Sequence, residues 1–273
     1  MIEPPLPTIG VASTFSPRFV QVLAEAKRMR DRFGSRLDLI YVGKKSERTV
    51  RKFGKVFGEL GLPPDSAVHY HEGDPASAIL AAAAENGVDL IIAGALEKEV
   101  VHRTFLGNVA RQLVRQSRCS VMLFTKPERE PAPLARMVFM AEYSAHGRQA
   151  LRRALELAAA EKCERFYAVR VYTSFDGARA AMRSAADKPS EARTLEEEET
   201  ALEKFIDSAG PTEVPIEARC IRGNTGFAAL DFVQSVEANL LVVPAESAEA
   251  GDHLPSQIAW IAETIPCNLW VIR

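Results

Sequence analysis

The sequence predicts an α/β protein built as two tandem doubly wound domains, each an open five-stranded, mostly parallel sheet with helices on both faces. Two observations carry that expectation. Short apolar runs of strand length alternate with longer stretches of helical periodicity, the order that βαβ units on a parallel sheet produce. The series then restarts past residue 135, so that one unit is written twice.

In the first copy, the runs at residues 9–13, 37–42, 66–71, 89–94 and 120–124 are bounded by turn residues, and several are apolar at consecutive positions. Such continuity suits strands covered on both faces. Between the first two runs, Phe19, Val22, Leu23, Ala26, Met29 and Phe33 fall at helical spacing. Ser16-Pro17 is expected to cap that helix with proline at its first position, and Gly34 to end it. A second helix carries Val50, Phe53, Phe57 and Leu60 behind Ser46 as cap, and a third opens at Asp74-Pro75 and runs through alanines to Asn86-Gly87. A fourth starts at Asn108 and continues through Val109, Leu113 and Val114.

Residues 126–133, KPEREPAP, hold three prolines and no apolar period, so 126–135 reads as an extended linker between domains at 1–125 and 136–273. Beyond it, 137–144 lies over 9–16, Leu151, Ala154, Leu155 and Ala158 repeat the first helix, and RFYAVRVY repeats the second strand. An insertion over 173–190, rich in Ser, Asp, Lys and Pro, is expected as a surface loop, followed by an acidic helix over 191–209. Further matches set 221–230 on 71–80, 239–244 on 89–94, and 265–273 on 116–124, with Cys267 opposite Cys119.

Lys and Arg number 34 against 36 Asp and Glu, so a formal net charge of −2 supplies no field to gather nucleic acid or an anionic membrane. No apolar run approaches the length that spans a bilayer, and the N-terminus lacks a secretory pattern. Neither a nucleic-acid partner nor membrane insertion is expected, and the expected location is the cytoplasm. Cys119, Cys163, Cys220 and Cys267 stand far apart without a CxxC pair, and read as reduced, mostly buried apolar side chains.

Residues 88–124, VDLIIAGALEKEVVHRTFLGNVARQLVRQSRCSVMLF, resemble the fourth strand, glycine loop, last helix and final strand of the universal stress protein family. Over nearly its full length the chain resembles a tandem member of that family. The resemblance implies an adenine nucleotide α-hydrolase-like fold. It also implies pairing of final strands, here 121–124 with 269–272, as an intrachain pseudo-dimer, with a homodimer of two chains as a further step.

In nucleotide-binding members the loop reads G-x2-G-x9-G-[ST], because glycines let backbone N–H groups approach phosphates at a helix N-terminus. Gly94 and Gly107 keep that separation, whereas Glu97 stands at the second glycine and Asn108 at the Ser/Thr. A carboxylate there repels phosphate by roughly 1 to several kcal/mol. The family's aspartate at the end of the first strand corresponds to Thr14, or to Glu142 in the second copy, and its adenine-receiving backbone to Val42. Thr14, Val42, Gly94, Gly107 and Asn108 thus outline an eroded site for ATP or AMP. In the second copy Pro244 and Pro255 replace the first and last glycines, and proline has no N–H to donate. That copy is expected to be structural.

Other candidates have plainer readings. His69 and His71 share a strand face near Glu72 and Asp74, a start for Zn²⁺, but a site needs three or four converging ligands and half-exposed strand histidines account for the pair. His102 and Arg103 meet an anion or stand solvated in the loop, and Lys44-Lys45 lie where open α/β sheets take ligands or serve as solvated charges. Trp260 and Trp270, on the last helix and strand, read as core or interface aromatics. With no P-loop, nucleophile elbow or nucleophile–base pair, no enzyme is expected. Two functions remain: a non-enzymatic stress-response protein binding an adenine nucleotide weakly, or a regulatory module acting on a transporter or signalling partner through a protein surface.

Overall fold

Helix starts follow from local caps. Ser46 accepts from Thr49 N at the head of α2 (Glu47–Leu60), and Asp74 accepts from Ser77 N at the head of α3 (Pro75–Glu85), with Pro75 at the first position. The first helix, α1 (Phe19–Phe33), differs from expectation. Its N-cap is Arg18, without a side-chain cap, because Phe19 N donates to Ser16 O at 3.1 Å and so closes a turn with Pro17 at its second position. Gly34 ends α1 in the left-handed conformation, at φ 69°.

The computed structural model describes residues 6–13, 16–63, 66–100, 103–173, 193–223, 225–246, 254 and 259–273. They divide into two compact units. The first holds the described residues up to Ala132 together with Leu254 and Ala262–Arg273; the second holds the described residues of Pro133–Glu246 with Ala259–Ile261.

In the first unit β1 (Thr8–Ser13), β2 (Arg36–Val42), β3 (Val68–His71), β4 (Leu90–Gly94) and β7 (Ser120–Phe124) form a parallel sheet in the order β3-β2-β1-β4-β7. Its centre is apolar on both faces: Ile9, Val11, Leu39, Ile91, Ile92, Val121 and Leu123 are fully buried. On one face Phe53 of α2 meets both Phe19 and Tyr41 edge-on. The segment expected as a loop between β4 and α4 (Asn108–Gln116) instead forms a hairpin, β5 (Leu96–Val100) with β6 (Arg103–Leu106).

The last strand of the chain, β13 (Asn268–Ile272), belongs to this first unit. It pairs antiparallel with β7, setting Leu269, Trp270 and Val271 opposite Leu123, Met122 and Val121, while the short β12 (Thr264–Ile265) pairs with β6. The two final strands of the repeat therefore meet as anticipated.

In the second unit β8 (Arg136–Met140), β9 (Arg165–Tyr172), β10 (Ile216–Arg222) and β11 (Leu240–Pro244) lie parallel in the order β10-β9-β8-β11. Its helices are α5 (Ala145–Ala160), α6 (Leu195–Asp207) and α7 (Thr225–Ser235), α6 being the acidic helix behind a Thr194–Glu197 capping box. Where a last helix was expected, the described residues form a 3-10 turn, Ala259–Ala262. The insertion over 173–190 lies outside the described residues apart from Thr173. No described helix is long and apolar enough to cross a membrane.

Candidate functional site

Four of the five residues singled out from sequence sit at the carboxyl edge of the first unit's sheet, where open α/β folds take ligands. Gly94 ends β4 and is exposed; a Cβ there would stand 3.3 Å from Val22 Cγ2, tighter than an ordinary contact. Gly107 is the N-cap of α4, and its N–H donates to Ala95 O at 3.3 Å, which draws the two ends of the 95–106 segment together. Lacking a side chain, Gly107 leaves the first-turn amides of α4 without a side-chain cap. Asn108, the first residue of α4, is exposed beside them.

Val42 ends β2, half-buried and opposite His71 of β3, with β1 lying between β2 and β4. The turn after it depends on Gly43: φ is 151°, and a Cβ would press to 2.8 Å from the Tyr41 ring. Thr14 lies outside the described residues. The fold thus gathers Gly94, Gly107 and Asn108 and sets Val42 on the same edge.

The hairpin explains how a glutamate replaces a glycine at position 97. Leu96 pairs with Leu106 and Lys98 with Phe105, leaving Glu97 unopposed as a bulge in β5. A strand residue needs no positive φ, so glycine loses its advantage there. The base of α4 is tied down from far along the chain. Arg111 Nε donates to Ala262 O at 3.2 Å, and Glu263 meets Arg111 at 3.3 Å and Arg115 at 3.4 Å. Sequence reasoning missed Glu263, because nothing near it in the chain marks partners so distant.

Several of the remaining candidates have structural partners. His69 Nε2 lies 3.1 Å from Asp38 Oδ2, which also meets Arg36 at 3.1 Å, and His71 Nε2 lies 3.8 Å from Glu85. Asp74 turns to its cap role, and the Ser77 hydrogen bonds hold its carboxyl below the usual range. Among the described residues no group of three His, Cys, Asp or Glu side chains is placed to hold a metal ion. Lys45 Nζ stands 5.7 Å over the Tyr70 ring. His102 lies outside the described residues. All four cysteines are free, and burial pushes the thiols of Cys119 and Cys163 up and that of Cys220 up to about 11. Thiols so shifted are poor nucleophiles at neutral pH.

The matching edge of the second unit is occupied by its own side chains. Arg170 Nε on β9 donates to Glu198 Oε1 on α6 at 2.8 Å, and Arg193 Nη1 stands 3.4 Å from Glu198 Oε2. Both guanidiniums lie over the Tyr143 ring, at 4.9 and 5.3 Å. Burial and the Glu198 charge drive the Tyr143 hydroxyl's pKa well up, so it stays protonated. Glu142, matching Thr14, accepts from Ser144 Oγ at 2.8 Å. The only sequence signal for this cluster was an arginine inside an otherwise apolar strand.

A model of the Universal stress protein family matches residues 44–125 and 135–273. A curated universal stress protein from Methanocaldococcus jannaschii is 30% identical over 84 residues, which cover 31% of this chain and 48% of that protein, so the chain spans about half the length of this relative. Among solved structures, a functionally unknown protein from Pseudomonas aeruginosa PAO1 is similar at TM-score 0.72 and 14% identity, over 98% of this chain and 92% of the other. A universal stress protein from Archaeoglobus fulgidus DSM 4304 is similar at TM-score 0.60 and 14% identity, over 97% and 96%. At such identities the structural likeness speaks for the fold alone.

Proposed function

Because the chain belongs to the universal stress protein family, matched over residues 44–125 and 135–273, we propose that it is a non-enzymatic stress-response protein of the cytoplasm whose first unit takes an adenine nucleotide weakly. The observation that carries this reading is the Gly94–Ala95–Gly107 junction, which leaves the uncapped amides of α4 beside the end of β4. Phosphate oxygens of ATP or AMP are the ligand chemistry such amides accept. The backbone at Val42 would receive the base and Asn108 would contact phosphate; Thr14 stands in sequence where the family carries its aspartate. Weak affinity follows from the carboxylate that Glu97 carries at the position of the family's second loop glycine.

The second unit acts as a structural partner. At its equivalent edge Arg170 and Arg193 are both already engaged by Glu198, and Pro244 ends β11 where a donor is required. Association of two chains and recognition of a protein partner are further parts of this proposal.

Calorimetric titration with ATP and AMP tests it: the expected result is saturable heat, lost in Gly107→Pro. Absence of heat with either nucleotide at millimolar concentration would leave partner binding as the better account. Phosphate release above a protein-free control would overturn the non-enzymatic assignment.

A further inference from the structure

The second unit carries a cavity of about 430 Å³ at the amino ends of β8 and β9, beside the carboxyl end of α7. This is the sheet edge opposite to the one where α/β folds usually bind. Arg136 opens β8, Arg165 opens β9, and the two are direct cross-strand neighbours. Like charges so placed repel unless an anion lies with them.

The first copy of the repeat shows how such an arginine is otherwise satisfied. There Thr8 faces Arg36 across β1 and β2, and Arg36 Nη2 meets Asp38 Oδ2 at 3.1 Å. In the second copy Tyr167 stands two residues beyond Arg165, where Asp38 stands beyond Arg36. Arg165 has no hydrogen bond or ion pair through its guanidinium among the described residues, and it is exposed. The Tyr167 ring is fixed edge-on against Phe232, and its hydroxyl has no described partner. Arg136 Nη2 is held by Glu237 at 3.1 Å, yet its Nε is buried without an acceptor.

Glu237 itself sits at φ 48°, in a turn whose counterpart in the first copy is Gly87 at φ 60°. It closes the helix end in the left-handed conformation, as Lys162 does after α5 at φ 55°. Its carboxylate meets Arg136, and no carboxylate is paired with the guanidinium of Arg165 among the described residues.

We propose that this cavity binds a small molecule through an oxyanion group, carboxylate or phosphate, held by the exposed guanidinium of Arg165 with the Tyr167 hydroxyl as a further donor. Guanidinium suits either group because its parallel N–H bonds match paired oxygens. Glu164 at the rim, whose carboxylate has no partner among the described residues, favours a ligand bearing a donor or cation beside its oxyanion. The site is independent of the nucleotide site of the first unit.

The test is calorimetric titration of the full chain at low ionic strength with two probes, inorganic phosphate and succinate. Saturable heat with at least one probe, weakened at least about tenfold by Arg165→Gln and severalfold by Tyr167→Phe, is the expected result. Arg48→Gln, which removes an equal charge from the exposed face of α2, is expected to leave that heat unchanged. Tyr167→Phe retains the ring contact with Phe232, so it reports on the hydroxyl even if an arginine variant folds poorly. No saturable heat with either probe up to about 50 mM, or equal weakening in Arg48→Gln, would overturn the proposal.

Discussion

Trp270 of β13 lies directly opposite Met122 of β7, and its ring meets that of Phe33 on α1 at 5.7 Å between centroids. A side chain from the end of the second copy thereby completes the core of the first unit, where it is fully buried. Trp270→Ala is expected to cost about 3–5 kcal/mol in urea unfolding. Trp270→Phe is expected to cost less, because the buried indole N–H has no acceptor to lose. An alanine variant within about 1 kcal/mol of the native chain would mean that this strand adds little to the core.

Glu198 joins two arginines while its own side chain is 7% exposed. Removing it strands Arg170 and Arg193 over Tyr143 with no countercharge. Glu198→Ala should therefore lose roughly 2–4 kcal/mol by denaturant unfolding, whereas replacing Arg170 and Glu198 together by Met and Leu should lose much less. Equal losses would show that the ion pair, and not the stranded charge, sets the cost.

Glu25 on α1 tests pH dependence. Arg28 Nη2 stands 2.7 Å from its carboxylate, yet burial outweighs that attraction and raises its pKa above the usual 4.5. The folded state thus holds the proton more tightly than the unfolded chain. The resulting stabilisation is fully present below the unfolded pKa and is lost as pH rises through the folded one. Glu25→Gln does not titrate, so its stability relative to the native chain should improve between about pH 4 and pH 7. A difference that stays flat, or falls, across that window in urea unfolding would contradict the raised value.

Gly147 admits no side chain: an added Cβ would lie 2.0 Å from the carbonyl oxygen of Glu142, a backbone atom. Gly147→Ala is expected to destabilise by about 3 kcal/mol or more, or to prevent folding. Gly58→Ala, in open space on α2, should stabilise by about 0.5–1 kcal/mol through helix propensity. Thermal unfolding of the pair separates steric from conformational roles.

Helix heads and the repeat were legible because their causes are local. Ser46, Asp74-Pro75 and Gly34 act within a few residues, and buried parallel strands announce themselves as apolar runs. Gly94 and Gly107 were picked out as a pair only through the resemblance to the family's glycine loop, whose separation they keep. The cap at Ser16-Pro17 misled, since the same dipeptide serves a turn equally well and only the Ser16–Phe19 hydrogen bond chooses between them. The hairpin within 95–106 was hidden by the glycine-loop spacing, although its Val-Val and Thr-Phe-Leu stretches favour strands.

By itself, then, the sequence determined the α/β class, the duplication and most element boundaries, all of which follow from periodicity and short-range hydrogen bonding. Tertiary structure alone decided that β13 extends the first unit's sheet, that Glu263 reaches Arg111 and Arg115, and that Arg165 faces a cavity without the carboxylate its counterpart Arg36 has. These depend on groups brought together from distant parts of the chain or across neighbouring strands. No local pattern encodes such a meeting; it is settled when the sheets pair and their side chains pack.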